Sequence, residues 1–129
     1  KDFEEVCESN FTYNFYRQGR SGSGNKDGYS IRVATKQLLE RPEKDKILII
    51  ASDGLPSCYC STSGTEDVKA AVAEARSNGI KVIGMYMYSY ADDKTFQAYH
   101  NMYAPDYLMV TMDQIESELT RIMKRLFTR

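Results

Sequence analysis

The chain has 129 residues, of which 42% are hydrophobic and 27% are charged, and its formal net charge is −1 at pH 7. This length and composition predict one globular domain with its own core, and they exclude a disordered or fibrous chain. The small net charge gives no general attraction to nucleic acid or anionic membrane, and no apolar run is long enough to predict a membrane span.

The first residue is Lys, and no secretory signal is present. We therefore expect the chain to be a piece of a longer protein. The three cysteines, Cys7, Cys58 and Cys60, are an odd number, and the last two are too close in sequence for an easy mutual disulfide. This pattern predicts a reducing, cytoplasmic setting.

The chain is organised around residues 46–54, of sequence KILIIASDG. Five consecutive apolar residues, three of them Ile, predict a strand that is buried on both faces. The strand ends at Asp53, and ligands of open α/β sheets bind at the carboxyl ends of the strands. Asp53 is therefore a candidate ligand-site residue, although an Asp-Gly pair also begins turns that bind nothing.

The residues before the first predicted helix are less regular. Alternating aromatic residues within 1–18 favour a strand. Residues 19–28, GRSGSGNKDG, predict a loop because of their glycine content, and the spacing fits neither common phosphate-binding pattern. This loop is either a flexible connector or a loop that presents Asn25 and Asp27.

The remaining chain alternates between helical and strand patterns. The predicted elements are a helix over 27–41 capped by Asp27, the strand over 46–54, a helix over 65–78 capped by Thr65, a strand over 80–86, a short helix capped by Asp92 and Asp93, a strand over 107–111 and a last helix capped by Asp113. Such alternation predicts an α/β fold in which helices cover both faces of a mostly parallel sheet.

Three further features were candidates for function. Cys58 and Cys60 could bind a metal, but a thiolate site needs two more ligands at set spacing, so a loop with free thiols is favoured. The stretch MYMYSY at 85–90 favours packing over a contact surface. The sole histidine, His100, has no acid or nucleophile motif beside it, which favours a surface or packing role.

Residues 24–57, GNKDGYSIRVATKQLLERPEKDKILIIASDGLPS, resemble the C-terminal von Willebrand factor A-type (vWA) domain of the cobaltochelatase large accessory subunit and of nitric oxide reductase activation proteins. Residues 64–87, GTEDVKAAVAEARSNGIKVIGMYM, resemble the latter more closely. The resemblance covers about residues 24–128. It implies a Rossmann-like, three-layer α/β/α vWA domain over 1–129 that is N-terminally truncated, because its first strand, first helix and DxSxS motif are missing.

Domains of this family carry a metal-ion-dependent adhesion site, built from three loops at the carboxyl edge of the sheet. Carried over residue by residue, Asp53 is the aspartate of the third loop, and Asn25 or Asp27 stands near the usual threonine of the second. Mg²⁺ prefers six oxygen ligands in a near-octahedral arrangement. The resemblance therefore implies Mg²⁺ in the full-length parent, and weak or no metal binding by this chain without DxSxS.

Members of the family act with a ring-forming AAA+ ATPase of the MoxR type on a target enzyme. The resemblance implies a non-catalytic protein-interaction module that serves metal insertion by cobaltochelatase in cobalamin biosynthesis, or activation of nitric oxide reductase. Two alternatives remain open. One is a Mg²⁺-dependent hydrolase or phosphotransferase that uses Asp53. The sequence shows no arrangement of catalytic residues around Asp53, which argues against this alternative. The other is a nucleotide or small-ligand binder that uses residues 19–28.

Loss of the family's first strand would also expose residues 47–51 as an apolar sheet edge. Such edges pair with other chains. We therefore expect a homo-oligomer formed through this edge, or N-terminal residues that fold back over it.

Overall fold

The structure is a computed structural model, and it describes residues 26–56, 63–90 and 92–128. The predictions for Asn25, Cys7, Cys58 and Cys60, and for the N-terminal aromatic segment, lie outside these residues.

Strands and helices alternate along the described chain, as predicted. The elements are α1 (Asp27–Leu39), β1 (Lys46–Ser52), α2 (Gly64–Ser77), β2 (Ile80–Met87), α3 (Asp93–Tyr103), β3 (Tyr107–Val110), a 3-10 turn (Met112–Gln114) and α4 (Ile115–Phe127). Within these ranges the three strands form one parallel sheet in the order β1-β2-β3. None of the described helices is both long and apolar enough to cross a lipid bilayer.

The two faces of the sheet bury different sets of side chains. Val82 and Tyr86 of β2 pack on the face that α1, α2 and α3 cover. Ile83 and Met85 point to the opposite face, where they pack with Ile122 of α4. The fold is therefore a three-layer, Rossmann-like α/β/α arrangement, and the predicted fold class is confirmed.

The predicted burial of β1 on both faces is wrong for the described part of the protein. No residue of β1 is buried, and Ile49 is 38% exposed. Ile47 packs towards α4, but α4 mainly covers β2 and β3, so Ile49 and Ala51 on the same face are left exposed. The expected apolar edge is thus present among the described residues, while an oligomer that covers it stays a prediction.

Two predicted helix caps are displaced by one or two residues. Asp27 is the first helical residue of α1, and the capping position is Lys26, whose side chain makes no capping bond. In α2 the cap is Ser63 instead of Thr65, because the Ser63 hydroxyl accepts a hydrogen bond from the backbone N–H of Glu66 at 3.3 Å. Both helices still begin within one residue of their predicted first residues.

Of the caps predicted for α3 and α4, the first is confirmed and the second is wrong. Asp92 caps α3 as predicted, since its carboxylate accepts the Thr95 backbone N–H at 2.8 Å. The predicted cap at Asp113 is wrong, because the capping position of α4 is Gln114, and Thr111 and Gln114 form a capping box around the 3-10 turn before it. The Asp113 carboxylate instead accepts a bond from the Thr111 hydroxyl at 2.6 Å.

The Arg76 guanidinium joins α2, α3 and β2 through three backbone carbonyls. It donates to the carbonyl oxygens of Ala104, Tyr103 and Val82 at 2.7, 2.5 and 3.0 Å. Burial lowers the pKa of Arg76, and the charge of Asp106 partly opposes that shift. The Arg76 side chain therefore links the C-terminal ends of α2 and α3 to β2 by hydrogen bonds.

Candidate functional site

The carboxyl edge of the sheet is where the polar residues predicted from sequence lie. The strands end there at Ser52, Met87 and Val110, and α2, α3 and α4 begin after them. The first turn of α1 lies beside the first turn of α2, because a Cβ on Gly28 would fall 2.0 Å from Oδ2 of Asp67. The four helices within the described ranges thus direct the partial positive charge of their N-termini towards this edge.

Asp53 lies in a turn whose backbone is held by two hydroxyl groups. Ser52 Oγ donates to the Gly54 carbonyl at 2.9 Å and accepts from the Gly54 N–H at 3.2 Å. The Tyr99 hydroxyl donates to the same carbonyl at 2.7 Å. The Asp53 residue itself is exposed. The predicted turn is therefore present, and it carries a solvent-facing carboxylate on a fixed backbone.

Tyr99 belongs to a stack of buried tyrosines behind this turn. Its ring centroid lies 4.6 Å from that of Tyr86 and 5.6 Å from that of Tyr103. Burial, with smaller contributions from the charges of Asp27 and Asp53, raises the pKa of Tyr99 to about 12. The hydroxyl therefore stays protonated at neutral pH and keeps donating to the turn.

Asp27 is half-buried at the start of α1, and burial raises the pKa of its carboxyl. Asp67, in the first turn of α2, lies against the neighbouring Gly28 and forms an ion pair with Arg32 at 2.9 Å. The sequence signal at Asp67 is its place in the acidic first turn of α2, which indicates a favourable interaction with the helix dipole and not a ligand site. No local signal identifies Tyr99, because its contact with the turn joins residues 45 positions apart.

Two of the three residues that the family resemblance predicts as metal ligands, Asp53 and Asp27, lie within the described ranges. Asp53 follows the end of β1 and Asp27 is the first residue of α1, so both carboxylates lie at the carboxyl edge of the sheet. In the ranges that the structure describes, no three His, Cys, Asp or Glu side chains form a group that could hold a metal ion. The described side chains therefore do not by themselves fit a complete site for Mg²⁺, which prefers six oxygen ligands.

We expect Asp27→Asn to raise the melting temperature at neutral pH, because burial disfavours the ionised carboxyl. The native carboxyl holds its proton more tightly than the unfolded one, whose ordinary pKa is 3.8. Stability is therefore lost as the pH rises from 3.8 through the raised native pKa, and that loss persists above it. Thermal melts of Asp27→Asn and wild-type protein should differ at pH 7 and converge below pH 3.8.

Asp45→Asn is the matched control for this pH series, since Asp45 is exposed before β1. Its melting temperature should stay close to that of the wild type at every pH. A lower melting temperature for Asp27→Asn at pH 7 would mean that the ionised carboxylate stabilises the fold, contrary to this account.

Two other predicted features have clear positions. Met85 and Tyr86 are each 7% exposed, which confirms packing for the start of MYMYSY, whereas Tyr90 is 87% exposed. His100 is exposed, and its Nδ1 lies 3.0 Å from the hydroxyl of Tyr107 at the start of β3. The expected surface position of His100 is confirmed, and it lies two strands away from β1.

Comparison with known proteins identifies a similar sequence in Bacillus subtilis (strain 168). The chain is 36% identical over 105 residues to the uncharacterized protein YojO. The match includes 79% of this chain but 16% of YojO, so the chain spans about a sixth of the length of the curated relative it matches. No family model matches the chain, and no solved structure matches it. The chain thus resembles one part of a longer protein that is uncharacterized.

Proposed function

We propose that this chain is part of a vWA-type module that binds a partner protein at the carboxyl edge of its sheet and performs no bond chemistry. The observation that carries the proposal is the turn after β1, in which hydroxyl groups hold the backbone while Asp53 remains exposed. A recognition group whose position is fixed before binding loses less conformational freedom on association. This arrangement suits a contact residue.

The proposed partner is a MoxR-type AAA+ ATPase, acting with its target enzyme in the cytoplasm. The support is the resemblance of residues 24–128 to the accessory proteins of cobaltochelatase and nitric oxide reductase, and both pathways remain candidates. Asp53, with Asp27 or Asn25, would hold Mg²⁺ in a form of the protein extended N-terminally by a DxSxS strand, named here the extended form. The bound cation would supply positive charge for an acidic side chain of the partner.

Exposed apolar side chains support a protein-binding role for this edge. Leu55, Tyr90 and Met112 follow the ends of β1, β2 and β3, and they are 37%, 87% and 76% exposed. Parallel strands lie about 5 Å apart, so these three positions leave the sheet on neighbouring strands. Protein interfaces combine such aromatic and Met side chains with a polar rim.

The alternative of a Mg²⁺-dependent hydrolase or phosphotransferase gains no support from the described residues. His100, the sole histidine, is paired with Tyr107 near β3 instead of lying beside Asp53. A general base must lie within hydrogen-bond reach of the group it deprotonates. We therefore keep binding as the proposal.

The test compares Asp53→Asn with Asp45→Asn in the extended form. Asp53→Asn should weaken binding to the MoxR-type ATPase by about 30-fold or more in calorimetry, the size expected for a central contact residue. Asp45 lies at the opposite end of β1 and pairs with Lys81 at 3.6 Å, so its replacement should leave affinity unchanged. Wild-type affinity for Asp53→Asn, or an equal loss in both variants, would contradict the proposal.

A further inference from the structure

We infer that Tyr99 is a positioning residue for Asp53, because its hydroxyl anchors the turn that presents the carboxylate. The consequence for binding rests on the proposed function, whereas the anchoring contact itself is a property of the fold. The contact joins α3 to the end of β1 across 45 positions of sequence, at 2.7 Å.

The position of the Tyr99 hydroxyl is set by the core and not by the turn. Tyr99 is 1% exposed, and its ring is stacked between those of Tyr86 and Tyr103, with interplanar angles of 21° and 29°. A ring enclosed in this way cannot swing to another rotamer without disturbing its neighbours. The hydroxyl is therefore a donor whose position is set by the core, and the turn after β1 is attached to it.

The Gly54 carbonyl has two donors with different roles. The Ser52 hydroxyl is local and closes the turn on itself, as Ser side chains do two residues along the chain. Tyr99 is the donor that ties the closed turn to another element. A Cβ built on Gly54 meets no described atom within 4 Å, so the space beside this residue is open towards the described residues, and the hydrogen bonds from Ser52 and Tyr99 are the contacts that hold its carbonyl.

Loss of the Tyr99 hydroxyl should therefore leave the turn formed but less firmly oriented. The Asp53 carboxylate would then sample several directions, and binding would have to restore one of them. Groups that orient a metal ligand from outside the coordination sphere typically change affinity about 10- to 100-fold when they are removed. Removing the Tyr99 hydroxyl should therefore change the metal affinity of a site that contains Asp53 by a factor in this range.

The test pairs Tyr99→Phe with Tyr107→Phe. Each variant keeps its ring and loses one hydroxyl, and the Tyr107 hydroxyl bonds to His100, 3.0 Å away, near β3. We expect Tyr99→Phe alone to lower the backbone order parameters of residues 52–55 from about 0.85 to below about 0.7 in ¹⁵N relaxation. In the extended form, Tyr99→Phe alone should weaken Mn²⁺ binding about 10-fold or more.

Two results would overturn the inference. The first is unchanged order parameters at residues 52–55 in Tyr99→Phe. The second is Mn²⁺ affinity within about 2-fold of wild type for Tyr99→Phe while Asp53→Asn abolishes binding, which would leave the proposed function intact. If Asp53→Asn also binds normally, the proposed function fails, and the relaxation data alone decide whether Tyr99 positions the turn.

Discussion

Gly84→Ala is expected to lower the free energy of unfolding by about 3 kcal/mol or more, the upper range for overpacking a core. A Cβ on Gly84 would lie 2.3, 2.4 and 2.7 Å from three atoms of the Tyr103 ring. Neither side can move away easily. Gly84 pairs with Ile50 on one side and Tyr107 on the other, and Tyr103 is 1% exposed.

Urea denaturation followed by circular dichroism measures this loss, and Gly54→Ala is the matched control. The same substitution at Gly54 meets no described atom within 4 Å and should change stability by less than about 0.5 kcal/mol. Combining Gly84→Ala with Tyr103→Ala should cost less than the sum of the two single changes, because the second removes the ring that the first strikes. A stable Gly84→Ala protein would show that the ring and strand are more loosely packed than described.

Arg76→Met is expected to cost about 2–4 kcal/mol of stability. Met keeps much of the length and apolar stem of Arg but removes the donors to Ala104, Tyr103 and Val82. Buried carbonyls that lose their donors cost more than the average hydrogen bond contributes, since their desolvation is no longer offset. The junction of α2, α3 and β2 should therefore loosen.

Arg32→Met provides the comparison, because it makes the same chemical change at a more exposed site. Arg32 pairs with Asp67 and Glu74 at 2.9 and 3.1 Å, with 36% of its side chain exposed. Exposed ion pairs contribute little, so the expected loss is below about 1 kcal/mol. If urea denaturation shows equal losses in the free energy of unfolding for the two variants, the hydrogen bonds of Arg76 stabilise the fold no more than an exposed ion pair does.

Periodicity in the sequence was sufficient to predict the helix faces and the fold class. The small apolar residues spaced three and four apart along α2 are all buried: Val68, Ala71, Val72 and Ala75. Spacing along a helix determines which side chains share a face, so this information is local. The end of α2 also depends on local sequence, because Gly79 has a φ of 81°, a conformation that glycine adopts readily.

Sheet position could not be predicted from the same patterns. The apolar run of β1 indicates a strand, but it does not say how many neighbours the strand has or which face a helix covers. Ile49 is therefore exposed although its sequence context is that of a buried strand. The amino-acid composition of β1 indicates a buried strand. The strand order β1-β2-β3, by contrast, depends on contacts between segments that are far apart in sequence.

At the carboxyl edge, the positions of Asp53 and Asp27 could be predicted from the sequence, whereas the contacts of Tyr99 and Gly28 could not. Asp53 follows a strand end, which is a local signal, and both aspartates lie at the predicted edge. The close approach of Gly28 to Asp67 and the bond from Tyr99 to Gly54 depend on how α1, α2 and α3 pack. Such contacts leave no pattern in neighbouring residues.

The most direct test of the central claim is a Mn²⁺ titration by calorimetry of three proteins: the 129-residue chain, the extended form, and the extended form with Asp53→Asn. We expect one binding site in the extended form, no binding after Asp53→Asn, and weak or no binding by the shorter chain. Unchanged affinity after Asp53→Asn, or no binding by the extended form, would contradict the assignment of Asp53 to a metal-dependent contact site.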